Sequence, residues 1–207
     1  MLLDLLTKRY SCRNFSSRAI PKEIIHYILN CGRLSASGGN EQPWKFGVIT
    51  NSATIKRISD AAGINYKQEW IAKAPLVIVL CTQLFDDMDE TMPFESRHTV
   101  GLNRFKSMRD KILAMDEALY AVVNMEEHQT KIPGEHMVLA ALEHGIYSTW
   151  ISSIDCEMVG EVIGIKGYHV SNVIVFGYPE QPKEPTPKKE LASITFTDHF
   201  NNTGFTV

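Results

Sequence analysis

Two short clusters near the start of the chain hold residue types that bind charged, polar-edged molecules. The first, Arg9, Tyr10, Ser11, Cys12 and Arg13, puts two guanidinium groups and a hydroxyl within five residues. A guanidinium keeps its charge and donates through a planar fork, which matches the oxygens of a phosphate or carboxylate. In an extended segment, Arg9 and Ser11 face one side and Arg13 continues it. The second cluster, residues 35–44, reads Ser, Ala, Ser, Gly, Gly, Asn, Glu, Gln, Pro, Trp. Ala36, Ser37, Gly38 and Asn40 offer small side chains, a hydroxyl, an amide and a sharp bend, so a ligand can approach the backbone closely. Together the clusters suit a ligand that is anionic, flat and polar at its edge.

Other chemistries find less support. His128, His136 and His144 lie eight residues apart. They would share a stripe on one continuous helix, but Pro133 and Gly134 are expected to break it. No His-x-x-x-His or His-Glu-x-x-His spacing occurs, so no metal is expected. There is no Gly-x-Ser-x-Gly elbow for a serine nucleophile. Cys156 sits between Asp155 and Glu157, whose charge disfavours a reactive thiolate. No Gly-x-Gly-x-x-Gly turn follows a strand, which argues against a dinucleotide-binding Rossmann unit. The net charge of −3 argues against a general nucleic-acid binder. Cys12, Cys31, Cys81 and Cys156 are widely spaced and read as free thiols in a reducing cytoplasm. The longest apolar run, residues 74–81, is too short to cross a bilayer. Residues 1–6 carry Asp4 without a basic leader or a small-residue cleavage site, so no signal peptide is expected.

The elements that would position these clusters follow from periodicity. With 207 residues, 44% of them hydrophobic, one domain spanning 1–207 with a real core is expected. Helices are predicted over 2–10, 21–34 (Pro21 opening it), 53–62 and 135–144. Strands are predicted over 44–50, 76–81, 147–151 and 171–178. The β-branched run at 76–81 suits a strand covered on both faces. The apolar helix at 135–144 should be central, with a subunit interface as a natural setting, and Gly145 should stop it. Residues 83–133, with an acidic patch at Asp86, Asp87, Asp89 and Glu90 and helical content over 112–125, read as an insertion or lid. Four prolines between 179 and 187 make an extended connection. The arm at 190–207 has β-type content but too few apolar residues to form a core alone. The order implies an α+β sandwich with helices over a central sheet.

The two clusters resemble the nitroreductase-like FMN-dependent oxidoreductases, whose pattern is Arg-Arg-Ser-x-Arg and then Pro-Ser-x-x-Asn-x-Gln-Pro-Trp. The resemblance spans residues 5–82 and 135–191. It implies a central mixed, mainly antiparallel sheet flanked by helices, and a homodimer that exchanges its C-terminal arm and holds two FMN molecules at the interface. Arg9 and Ser11 would hold the phosphate and ribityl oxygens, with Tyr10 acting through its backbone. Tyr10 replaces the family's second arginine, which removes one cation. Lys188, ahead of Lys189 and Leu191, matches the cation that returns to the phosphate. Ala36, which stands where the family has proline, would join Ser37, Gly38 and Asn40 against the partner subunit's flavin. Gln42, Pro43 and Trp44 match the start of the next strand.

Flavin reduction puts a proton on N5 and negative charge near N1. Arg13 is the candidate cation for N1. The backbone of Trp150, Ile151, Ser152 and Ser153 is the candidate donor for N5, Ser152 and Ser153 replacing the family's glutamate or glycine pair. Lys67 or Gln68 would contact the pyrimidine edge. No side chain need act as a catalytic acid. The implied activity takes a hydride from NADH or NADPH and reduces a nitroaromatic, a quinone or a similar small acceptor by a ping-pong mechanism. The alternatives are a relative with other flavin chemistry (reductive dehalogenation or flavin fragmentation) and a non-catalytic FMN-binding redox module.

Overall fold

The computed structural model describes residues 1–62, 68–83, 110–111, 114, 129–201 and 204. Its centre is a four-stranded sheet of β1 (Trp44–Ile49), β2 (Leu76–Gln83), β3 (Tyr147–Ile151) and β4 (Tyr168–Gly177), in the order β1-β2-β4-β3. Each neighbouring pair is antiparallel. A parallel bridge between Ser11 and Ser148 lies outside these strands, beside β3. The continuous apolar run of β2 takes an inner position because both of its faces are covered. Val77, Val79 and Cys81 point into one core layer, and Leu76, Ile78 and Leu80 into the other. A bulge inserts Ser171 opposite the Leu80–Cys81 step.

Helices fill both layers. One face of the sheet packs on α3 (Ser52–Ala61) and α5 (Cys156–Ile163), through Ile55, Ile58 and Val159. The other face packs on α2 (Lys22–Arg33) and α4 (Lys131–Glu143), through Ile28, Met137, Val138 and Ala141. Each of the larger side chains removed from water, Ala141 excepted, contributes about 1.5–3 kcal/mol. The short α1 (Leu2–Lys8) buries no residue. Gly32 lets α2 approach α4, since a Cβ there would stand 2.2 Å from the Met137 Cε.

The predicted elements form with ends moved by a few residues. Pro21 caps α2 from outside rather than opening it, its carbonyl accepting from the amides of Ile24 and Ile25. The break expected at Pro133 and Gly134 does not occur. Both lie in the first turn of α4, where proline's missing N–H has no intrahelical acceptor to satisfy. Gly145 ends α4 with φ +69°, its amide bonding to Leu142 and that of Ile146 to Ala141. Helix α5 was not expected as an element. Asp155 caps it by accepting from the Met158 amide at 2.9 Å, and Gly164 (φ +67°) stops it. The tail forms a 3₁₀ turn at Leu191–Ser193 rather than a strand. The insertion expected over 83–133 falls mostly outside the described residues, as does most of the helical stretch at 112–125, while residues 131–133 belong to α4. Among the described residues no helix is long and apolar enough to cross a membrane.

Candidate functional site

After α1 the chain runs extended along the outer edge of β3. The Cys12 amide donates to the Ser148 carbonyl at 3.1 Å, and the Thr149 hydroxyl donates to the Cys12 carbonyl. The far side of this segment is tied to residues 178–180, just past the end of β4. Ser16 N–H donates to the Tyr178 carbonyl, Glu180 N–H donates to the Asn14 carbonyl, and Phe15 bridges to Pro179. Extended backbone makes side chains alternate. Tyr10 and Cys12 are buried, whereas Ser11 and Arg13 are exposed and Arg9 is half-buried. The Tyr10 ring packs on Tyr147 with centroids 4.5 Å apart. Burial raises its pKa, partly offset by the nearby backbone N–H of Lys183. Tyr10 is therefore core, and only its backbone can serve a ligand.

A cavity of about 400 Å³ opens where this segment meets the end of β3. It is lined by Arg13, Gln68, Trp70, Thr149, Trp150, Ser152 and Ser153. The lining holds one guanidinium, one amide, three hydroxyls and two indoles, and no carboxylate. That donor set and that size suit a flat anionic molecule with a polar edge, as FMN is. The Arg13 guanidinium carbon lies 5.9 Å from the centre of the Trp70 ring, a cation–π contact that orients it along the cavity wall. Trp70 in turn packs on Phe15. Gln68 spends both amide hydrogens on carbonyls, Ala62 at 3.1 Å and Ser153 at 3.0 Å. Its oxygen is left as an acceptor, and its side chain ties the Ser152–Ser153 turn to the end of α3.

The loop at 35–42 adopts a conformation that its polar residues alone would not hold. Gly39 (φ +56°), Asn40 (φ +59°) and Gln42 (φ +51°) all have left-handed backbone. Each non-glycine residue there costs roughly 1–2 kcal/mol. The Gln42 amide donates to the Ser37 hydroxyl at 2.9 Å, and its side chain donates to the Asn40 carbonyl at 3.1 Å. Two further bonds reach the loop from across the chain. Gln129 Oε1 accepts from the Gly38 amide at 2.7 Å, and Ser35 Oγ lies 2.7 Å from His136 Nδ1.

The cavity thus gathers five of the expected residues, Arg13, Gln68, Trp150, Ser152 and Ser153. Lys67, the other candidate at the pyrimidine edge, lies outside the described residues. Ile151 sits between Trp150 and Ser152 with its side chain in the core. The cavity lining does not include Arg9, Ser11, Lys188 or the loop residues Ala36, Ser37, Gly38 and Asn40. Lys188 is exposed on the extended connection after β4. Sequence reasoning missed Trp70 and Thr149. Trp70 could have been suspected as an indole two residues beyond Gln68, just ahead of the buried strand. Thr149 carried no such signal, because its place depends on how residues 11–12 lie against β3. Among the described residues no cluster of His, Cys, Asp or Glu could hold a metal ion.

Comparison with known proteins agrees with this architecture. The chain is 28% identical to the "Major NAD(P)H-flavin oxidoreductase" of Aliivibrio fischeri, covering 84% of this chain and 85% of that one. It is 23% identical to the "NADH dehydrogenase" of Thermus thermophilus, covering 90% and 91%. The crystal structure of a nitroreductase family protein from Clostridium difficile 630 superposes with a TM-score of 0.70 at 25% identity, over 96% of this chain and 98% of that one. The profile of the "Nitroreductase family" matches residues 6–178, and the chain belongs to that family.

Proposed function

We propose that this protein is an FMN-dependent oxidoreductase that works as a homodimer in the cytoplasm, drawing reducing equivalents from NADH or NADPH and passing them to a small acceptor such as a nitroaromatic or a quinone. The observation that carries this reading is the carboxylate-free, donor-lined cavity beside the cationic segment, in a chain of this family. FMN, when bound, would supply the redox chemistry, carrying electrons from the nicotinamide to a second molecule in the same pocket in ping-pong order.

The protein's part is to bind, to orient and to set polarity. Arg9 and Ser11 would hold the phosphate and ribityl oxygens, with Lys188 returning from the connection after β4 as a second cation. Arg13 would place positive charge beside the N1 edge, its guanidinium steadied by Trp70. Gln68, left with a free acceptor, would take the N–H of the pyrimidine edge. The backbone of Ser152 and Ser153, held by Gln68, would donate toward N5, and Trp150 would wall the ring. Ala36, Ser37, Gly38 and Asn40 do not line their own chain's cavity, which accords with their serving the partner subunit's flavin. Exchange of the arm at 190–207 and a single FMN-binding unit over 1–207 belong to the same reading.

The test is optical. Purified protein should carry absorbance near flavin wavelengths and bleach rapidly when NADPH or NADH is added without oxygen. Bleaching only by a chemical reductant would instead point to a redox module or to other flavin chemistry. A colourless preparation that does not take up added FMN would overturn the proposal.

A further inference from the structure

Among the described residues, two side chains from the start of α4 and the segment just ahead of it hydrogen-bond to the loop at 35–42. Gln129 lies two residues ahead of α4 and His136 lies on it, and they grip the loop at Gly38 and Ser35. Gln129 is itself buried (7% exposed), and its bond reaches out to the exposed Gly38, so it ties the loop surface to the interior. Left-handed backbone at Asn40 and Gln42 persists only where the surroundings over-determine it. The bonds from Ser37 and Asn40 lie within the loop and travel with it. They shape it but do not fix its place in the molecule. Gln129 and His136 tie it to the start of α4. The first turn of α4 also meets the cavity, since a Cβ at Gly134 would come within 2.4 Å of the Trp150 Cη2.

We propose that Gln129 is a positioning residue for the flavin ring, its side-chain oxygen holding the Gly38 amide so that residues 36–40 present a fixed surface to the cofactor. This rests on the reading that the loop faces FMN. It predicts a requirement for an acceptor at position 129, not merely for a side chain of that size. Gln129→Met keeps the length and removes the acceptor, while Gln129→Glu keeps an acceptor.

The experiment titrates FMN and riboflavin into the full-length dimer freed of flavin, and monitors amide hydrogen exchange over residues 36–42 in the same three proteins. Gln129→Met should raise the Kd for FMN roughly tenfold, the loss of one hydrogen bond that holds the loop. It should raise the Kd for riboflavin by the same factor, because the loop serves the ring and not the phosphate. Exchange over 36–42 should speed up while the melting temperature stays close to that of the parent. Gln129→Glu should bring both readouts back to within about twofold of the parent. Unchanged affinity and exchange in Gln129→Met, or equal losses in Gln129→Glu, would overturn the assignment. A parent protein that binds no flavin would instead bring down the functional reading, and the exchange data would still decide whether Gln129 holds Gly38.

Discussion

Arg9 and Arg13 sit on one extended segment, and the proposed function gives them different roles. Arg9 is half-buried at the end of α1, away from the cavity that Arg13 lines. Arg9→Ala should therefore weaken FMN retention by about 1.5–3 kcal/mol, the loss of a charge-assisted bond to phosphate. Riboflavin binding should hardly change, and full flavin content in the purified variant would contradict the role. Arg13→Ala should lower the flavin reduction potential more than the affinity, because it removes positive charge beside the ring. Spectroelectrochemistry giving an unchanged potential would remove Arg13 from that position. The thiols separate by burial. Burial pushes Cys81 up to about 11 and raises Cys12, while Cys31 and Cys156 are only half-buried. A thiol whose folded pKa is raised stabilises the fold fully below its unfolded pKa, and that contribution fades as pH climbs through about 11. At pH 8, iodoacetamide should leave Cys12 and Cys81 unlabelled until denaturant is added. Mass spectrometry finding either one modified in native protein would contradict its burial.

Among the elements, α4 joins the core to the site. Its apolar face fills the layer under Leu76, Ile78 and Leu80. Its first turn runs so close to the sheet that only glycine fits at 134: a Cβ would stand 2.4 Å from the Trp150 Cη2 and 2.7 Å from the Leu80 Cδ1. Both neighbours sit on strands, and the indole is rigid. Gly134→Ala should thus cost about 1–3 kcal/mol through overpacking and displace Trp150 in the cavity wall. A melting temperature lower by several degrees is the expected result. A variant as stable as the parent would show that α4 can shift outward freely. In sequence, Pro133 and Gly134 look like a helix stop. Their actual place in a first turn became visible only once Trp150 and Leu80 were seen to need that approach.

At the scale of the molecule, the described surface carries apolar side chains that one chain leaves exposed: Leu2, Leu3 and Leu6 on α1, and Leu191, Ile194, Phe196 and Phe200 on the tail. In the proposed dimer these side chains would lie in the contact between subunits. Sedimentation should therefore give the mass of two chains at micromolar concentration. Deleting residues 191–207 should shift the protein toward monomer and strip its flavin together. A full-length monomer that keeps its flavin would refute the shared site.

Sequence alone determined the segments with a local physical signature. The β-branched run at 76–81 forms an inner strand covered on both faces, and residues 147–151 form the strand predicted there. The period-2 alternation of Arg9, Ser11 and Arg13 against Tyr10 and Cys12 set which side chains could meet a ligand. Helix α5 escaped because eight residues between two strands leave a weak periodic signal, and its Asp155 cap lies next to the Cys156 and Glu157 that drew a thiol reading. Only the tertiary structure decided which distant residues share the cavity. Trp70, Thr149 and Gln68 reach it because the segment ahead of β2, β3 and the segment after α1 converge there, and the hold of Gln129 on Gly38 joins residues 91 positions apart. Contacts of that range depend on how packed elements are placed in three dimensions, which no local spacing encodes.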